Sequence, residues 1–95
     1  MALEVTVYTK DACGDCRRTK SNLNQRKVPH QTVHVAEDNI ELIEKLRAIA
    51  EQLGSKLAMP YVKVVNTDTG DTEEWFGHRS DLIVEHIIAK RRGSL

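Results

Sequence analysis

No run of apolar residues in this 95-residue chain approaches the roughly 18 of a membrane-spanning helix. An excess of one charge is also missing. Fourteen basic side chains balance fourteen acidic ones, so nothing in the composition points to an electrostatic nucleic-acid or membrane binder. No charged n-region, apolar h-region or cleavage site precedes the first strand pattern, since Met1-Ala2-Leu3-Glu4 leads straight into it. A cytoplasmic, soluble protein is therefore expected. Repeats, linkers and low-complexity stretches are absent too, so one domain over residues 1–95 is expected, acting as a monomer. Cysteine occurs only twice, at Cys13 and Cys16. In a reducing compartment a lasting structural disulfide is not expected, so the pair points to catalysis or metal binding.

What is present suffices for a modest core. Leu, Ile, Val and Phe make up 24 of the 95 residues, too many for a disordered chain. The run Leu3-Glu4-Val5-Thr6-Val7-Tyr8-Thr9 is β-rich and predicts a strand over residues 5–9. Residues 13–26 are polar and helix-compatible, with Cys13, Cys16, Thr19 and Leu23 as a thin inward stripe. Val28-Pro29 ends that helix, because a residue before proline avoids helical backbone. Residues 31–35 alternate, with Val33 and Val35 on one face, and predict a second strand. Asp38-Asn39-Ile40-Glu41 has the form of a capping box, with Asp38 as N-cap. Ile40, Ile43, Leu46, Ala50 and Leu53 then form the buried stripe of a second helix, and Gly54 suits the position just past its end.

A third strand is predicted over 61–65, a turn over 66–71 with Gly70 at positive φ, and a fourth strand over 72–76. Ser80 or Asp81 caps a last helix with Leu82, Ile83, His86 and Ile87 facing in, and Lys90-Arg91-Arg92 suits the negative end of its dipole. The order β-α-β-α-β-β-α gives an α/β fold: a four-stranded mixed sheet with three helices on its two faces. The first two strands should be parallel through a right-handed crossover and the last two antiparallel.

Cys13-Gly14-Asp15-Cys16 stands where the first strand hands over to the first helix. Two thiols at this spacing beside a βαβ pattern read as a thioredoxin-like redox site. The thiolate is the reactive species, and a free thiol near pKa 8.5 is a poor source of it. At a helix start, unpaired backbone N–H groups and the positive dipole end stabilise the anion at Cys13. Lys10, Arg17 and Arg18 are close enough in sequence to add charge. Cys13 would attack a substrate disulfide, and Cys16, one turn on, would resolve the mixed disulfide. Gly14 keeps that turn open for a partner. Asp15 either repels the Cys13 thiolate, making the dithiol more reducing, or is a solvated helix-start carboxylate. A zinc site would need two more ligands, and His30, His34, His78 and His86 are scattered.

Tyr8-Thr9-Lys10-Asp11-Ala12-Cys13-Gly14-Asp15-Cys16, followed by Met59-Pro60 before a strand, resembles a glutaredoxin-type member of the thioredoxin superfamily, over essentially the whole chain. The resemblance implies a thioredoxin fold, a cis Pro60 facing the cysteines, and a Met59 backbone that pairs with substrate as an added strand. Two subfamilies are similar. Glutaredoxins proper bind glutathione at positions matching Lys10, Met59 and Ser80-Asp81, although their second glycine is His78 here and their Pro-Tyr between the cysteines is Gly14-Asp15. NrdH-type redoxins carry W-S-G-F-R-P-D before the last helix. Here that segment reads Trp75-Phe76-Gly77-His78-Arg79-Ser80-Asp81, matching at Trp75, Gly77, Arg79 and Asp81. Their C-x-Q-C differs from this C-G-D-C, and mycothiol-dependent redoxins, with C-G-x-C, are a third relative.

The resemblance implies a dithiol oxidoreductase with no bound cofactor. Its electrons would come from NADPH through thioredoxin reductase, or from a low-molecular-weight thiol such as glutathione or mycothiol. Its acceptor would be ribonucleotide reductase or similar protein disulfides. A non-catalytic redox sensor or zinc-binding module is the reading from a different class. Trp75 is expected either to form an apolar docking patch or to cover the sheet. Arg79 either orders the Trp75 loop and meets a glutathione carboxylate, or is an exposed helix-start arginine. His78 is expected as a surface-loop histidine and His86 as a partly buried core residue.

Overall fold

The structure is a computed structural model that describes residues 3–90. Met1, Ala2 and the Arg91-Arg92 part of the basic tail lie outside the described residues. The elements follow the expected order: β1 (Leu3–Thr9), α1 (Gly14–Gln25), β2 (Gln31–His34), α2 (Ile40–Gln52), β3 (Tyr61–Asn66), β4 (Thr72–Phe76) and α3 (Ser80–Ile83), which runs on into a π-helical turn, Val84–Ile88. The strands form one sheet in the order β2-β1-β3-β4. β1 and β2 are parallel, as a helical crossover requires, and β3 runs antiparallel to both β1 and β4.

Side chains alternate across a strand, so β1, β3 and β4 each contribute to two cores. Val7, Val62 and Trp75 are cross-strand neighbours on one face. With Val5 and Val64 they meet Leu23 of α1 and Ile83 and Ile87 of the last helix. One residue along, Tyr8, Tyr61 and Phe76 form a row on the opposite face, with ring centroids 5.2 and 4.9 Å apart. Leu46 and Ala50 of α2 cover that row. The polar α1 is anchored through Cys16, Thr19 and Leu23 alone, the thin stripe its spacing predicts.

Several local expectations are corrected. The N-cap of α2 is Asn39, whose side-chain oxygen accepts from the Leu42 N–H at 3.2 Å; Asp38 lies one residue too early to do so. The buried stripe of α2 is shorter than its periodicity suggests. Ile40 is 61% and Leu53 44% exposed because the helix ends overrun the sheet, while half-buried Leu42 and Ile49 join Ile43 at its flanks. Neither Ser80 nor Asp81 caps the last helix; its N-cap is Arg79, which makes no side-chain cap bond. The π-helical turn was not foreseen, since apolar spacing over five residues does not separate i→i+4 from i→i+5 bonding. Gly54 closes α2 as expected, with bonds from Gly54 N–H to Glu51 and from Ser55 N–H to Ala50. Gly70 takes φ +80° in the β3–β4 turn.

The topology gathers the loops that matter. β1 and β4 end, and β3 begins, at the same end of the sheet, because Tyr8, Tyr61 and Phe76 lie in register. The 10–13, 59–60 and 77–80 segments therefore converge there.

Candidate active site

Cys13 is the N-cap of α1, in extended backbone with φ −113° and ψ 100°. Ala12 before it adopts a left-handed φ of 52°, which swings the chain out of β1 and into the helix start. An alanine there is strained by about 1 kcal/mol. The two cysteines are joined by a disulfide, with Cα atoms 5.3 Å apart. The Cys16 N–H donates to Cys13 Sγ at 3.1 Å, and Arg17 N–H to the Cys13 carbonyl at 3.2 Å. An amide aimed at a sulfur from a helix start favours the thiolate once the bond is reduced. Cys13 keeps 8% of its surface and Cys16 only 2%, so the first is the more exposed of the pair.

The Met59–Pro60 peptide is cis. The Met59 carbonyl lies 3.8 Å from Cys13 Sγ. In the disulfide shown, that sulfur has no hydrogen and the approach is a contact; a reduced thiol at this place can donate. Gly77 N–H donates to the Pro60 carbonyl at 2.8 Å and ties the end of β4 to the proline. Its φ of +88° is a conformation that side-chain-bearing residues rarely adopt, which explains a glycine here. Tyr61, next to Pro60, donates its hydroxyl to Glu74 at 3.2 Å. Burial, then the adjacent carboxylate, raises its phenol well above the ordinary value, so it stays protonated.

The residues singled out in the sequence fall into three groups. Cys13, Cys16, Met59, Pro60 and Gly77 are brought together by the bonds above. Gly14 opens α1, and a Cβ placed on it would meet nothing within 4 Å, so no packing inside the chain demands a glycine. Lys10 lies on the rim of a cleft of about 220 Å³, whose wall includes Val35, Ile43, Leu46, Leu57 and Met59. Asp15 is exposed and pairs with Arg18 at 3.6 Å, which directs the Arg18 charge toward that carboxylate.

In the third group the structure separates alternatives that the sequence left open. Trp75 is 5% exposed and packed in the α1–α3 core, stacked on His86 with centroids 6.0 Å apart. It covers the sheet and offers no docking patch, because its place in β4 turns it toward Val62. Arg79 is an exposed arginine at the start of α3, one of the two alternatives, and grips Asp81 through two bonds of 3.1 and 2.9 Å. That bond is the main reason the Asp81 carboxyl sits below its ordinary pKa. Ser80 is exposed at the first position of α3. His78 is not a free surface histidine; its Nδ1 is 2.9 Å from the Thr19 hydroxyl, which is fully buried on α1. This link, and the His34–Asp11 contact of 3.0 Å beside the cysteine loop, went unforeseen. Thr19 on the inward stripe was the one available sign. Among the described residues no group of three or more His, Cys, Asp or Glu could hold a metal ion, so a zinc site has no further ligands there. Among them also, no helix is long and apolar enough to cross a membrane.

The glutaredoxin family model matches residues 5–64, which contain the cysteine pair and Met59–Pro60. The chain belongs to the glutaredoxin family. It is a thiol-disulfide oxidoreductase with the thioredoxin fold, of a family that works with redox partners such as reductases and thiols and holds no cofactor of its own.

Among solved structures, the chain is 28% identical to the glutaredoxin-like protein NrdH-redoxin from Escherichia coli, described by its thioredoxin-like activity profile. The TM-score is 0.63, over 86% of this chain and 92% of that one. A glutaredoxin from Archaeoglobus fulgidus is 20% identical with a TM-score of 0.62, over 85% and 82%. Thioredoxin f from spinach chloroplast is 19% identical with a TM-score of 0.59, over 94% and 76%. These last two speak to the fold alone. No curated protein sequence matches the chain.

Proposed function

We propose that the chain is a dithiol reductant of protein disulfides, fed with electrons from NADPH through thioredoxin reductase, with ribonucleotide reductase as the kind of acceptor it serves. The observation that carries this reading is the Arg79–Asp81 pair at the start of α3. By the resemblance, glutaredoxins proper bind glutathione at the position of Asp81. Here its carboxylate is held by a bidentate guanidinium, the strongest geometry available to it. The likeness to an NrdH-redoxin supports the same reading. The compartment proposed is the cytoplasm, where a reversible pair is the expected use of two thiols.

In the proposed cycle the Cys13 thiolate attacks one sulfur of the partner disulfide. The other partner sulfur leaves as a thiolate and takes up a proton. Cys16, deprotonated, then attacks Cys13 Sγ, and the second partner sulfur leaves. Two electrons have moved to the partner, and the Cys13–Cys16 disulfide is the oxidised product. Thioredoxin reductase returns the pair to the dithiol. Met59 would present its backbone to the substrate chain, and the open space over Gly14 would admit it.

A small thiol such as glutathione or mycothiol as donor is the second reading, favoured by Lys10 on the rim of the cleft beside Met59. NADPH consumption with a protein disulfide separates the two. Turnover with thioredoxin reductase and none with glutathione plus its reductase is expected. The reverse result sinks the leading reading, and turnover with neither sinks both the leading reading and the glutathione alternative.

A further inference from the structure

Along α1, on the side facing the β4–α3 loop, lies an open groove of about 530 Å³. Arg17, Arg18, Ser21, Asn22, Arg26 and His78 contribute to its wall, and no carboxylate does. The chain as a whole is neutral, so this is a local concentration of cations. Asp15 is the only acid on α1, and it engages Arg18. The Arg26 Nε–H donates to Asn22 Oδ1 at 3.1 Å, which fixes the side chain along the helix. Among the described residues neither Arg17 nor Arg26 is paired with a carboxylate.

The groove's wall starts one residue past the redox pair in the chain. Arg17 follows Cys16 directly, and Arg26 lies about 14 Å further along the helix axis. An extended peptide leaving the cysteines would cover that length in about four residues. Guanidinium groups match carboxylates in a planar, two-bond geometry.

We propose that this groove docks an acidic segment of the protein substrate, with Asp or Glu side chains within about six residues of the disulfide that Cys13 attacks. It rests on the reading of the chain as a reductant of protein disulfides, and it selects among such substrates by charge. Nucleic acid fits the groove less well, because its arginines, one of them already engaged by Asp15, would neutralise few phosphates along a strand.

The test compares two disulfide peptides of equal length, one with three glutamates beside the cysteine and one with three glutamines. Rates are followed with the reduced chain at low and high salt. The acidic peptide should react about tenfold faster at low salt, and the advantage should fade as salt screens exposed charges. Arg26→Glu combined with Ser21→Glu, both exposed and away from the thiols, should remove that advantage and leave the glutamine peptide unchanged. A lysine-flanked peptide should then become the preferred one. Equal rates for both peptides in the unmodified chain would overturn the groove proposal while leaving the disulfide reading intact. Failure to reduce either peptide would overturn the disulfide reading itself. Inhibition by a short single-stranded DNA but not by polyglutamate would overturn the acidic-peptide assignment.

Discussion

The two faces of the sheet are packed to different standards. On the face covered by α1 and α3, Val7, Leu23, Val62, Ile83 and Ile87 are fully buried, and Val5, Val28, Val64 and Trp75 beside them keep 2 to 5%. On the α2 face the most buried residues, Val35, Leu46, Ala50, Tyr61 and Phe76, keep between 2 and 8%. A ring of half-buried side chains surrounds them, and a cleft of about 220 Å³ opens beside Met59. The close-packed side is the one from which both cysteines are displayed, since Cys16, Thr19 and Leu23 share the stripe that anchors α1. A reaction between two sulfurs depends on their fixed separation, which rigid packing supplies. The looser side offers an adaptable surface next to Met59, where a substrate chain would lie.

The largest expected effect breaks the comparison at its chemical end. Cys13→Ser should abolish disulfide reduction. Cys16→Ser should abolish reduction of protein disulfides and trap the partner on Cys13, visible as a mixed disulfide by mass spectrometry, while sparing monothiol exchange with small mixed disulfides. Full activity of Cys16→Ser on protein disulfides would mean that the close-packed stripe does not carry the resolving thiol.

The packing contrast itself can be tested next. Leu23→Ala leaves a cavity among neighbours with no room to relax and should cost about 4 kcal/mol in urea unfolding. Leu46→Ala, on the side that already holds a cleft, should cost about 2–3 kcal/mol, because half-buried neighbours can collapse into the space. Equal losses would show that the two faces do not differ in the way their burial suggests.

How far the sequence disclosed this arrangement varies with the kind of signal. β-rich runs placed the strands, and spacing alone placed Cys16, Thr19 and Leu23 on one helical stripe, so element order was readable from local pattern, while the division into two cores came from the paired strands. The cysteine pair was legible because its chemistry lies within one helical turn. Partnerships between distant segments were not legible. Thr19 with His78, Asp11 with His34 and Gly77 with Pro60 are fixed by how the sheet brings loops to one end, and no spacing along the chain encodes them. Trp75 was ambiguous for the same reason. Its face depends on register with Val62, which only the paired strands define.

A smaller effect probes how the β4–α3 loop is held against the tight face. Thr19→Val keeps shape and removes the hydroxyl that meets His78. The expected loss is about 1 kcal/mol, the usual net worth of such a bond. His78 ring resonances should shift, while the thiol reaction with a small disulfide stays within about twofold, because a loss near 0.4 kcal/mol corresponds to that factor. An unchanged melting temperature would show that the loop is held by other contacts.

The smallest expected change in stability lies at the rim of the same face, in Arg79→Gln. The guanidinium holds the Asp81 carboxyl below its ordinary pKa, chiefly through its hydrogen bonds. A carboxyl depressed in the folded state contributes stability above its unfolded pKa, near 4, and loses that contribution as pH falls through the folded value. Both side chains are exposed, so the effect is slight and confined to the acid limb below about pH 4. Arg79→Gln should bring Asp81 back toward its ordinary value in an NMR titration and flatten that limb. It should also release the carboxylate for a ligand amine. If the bidentate pair is what keeps glutathione out, the variant gains turnover with glutathione and its reductase while keeping its activity with thioredoxin reductase. A variant that titrates as expected yet gains no glutathione turnover would show that the pair shapes the helix start and does not choose the electron donor.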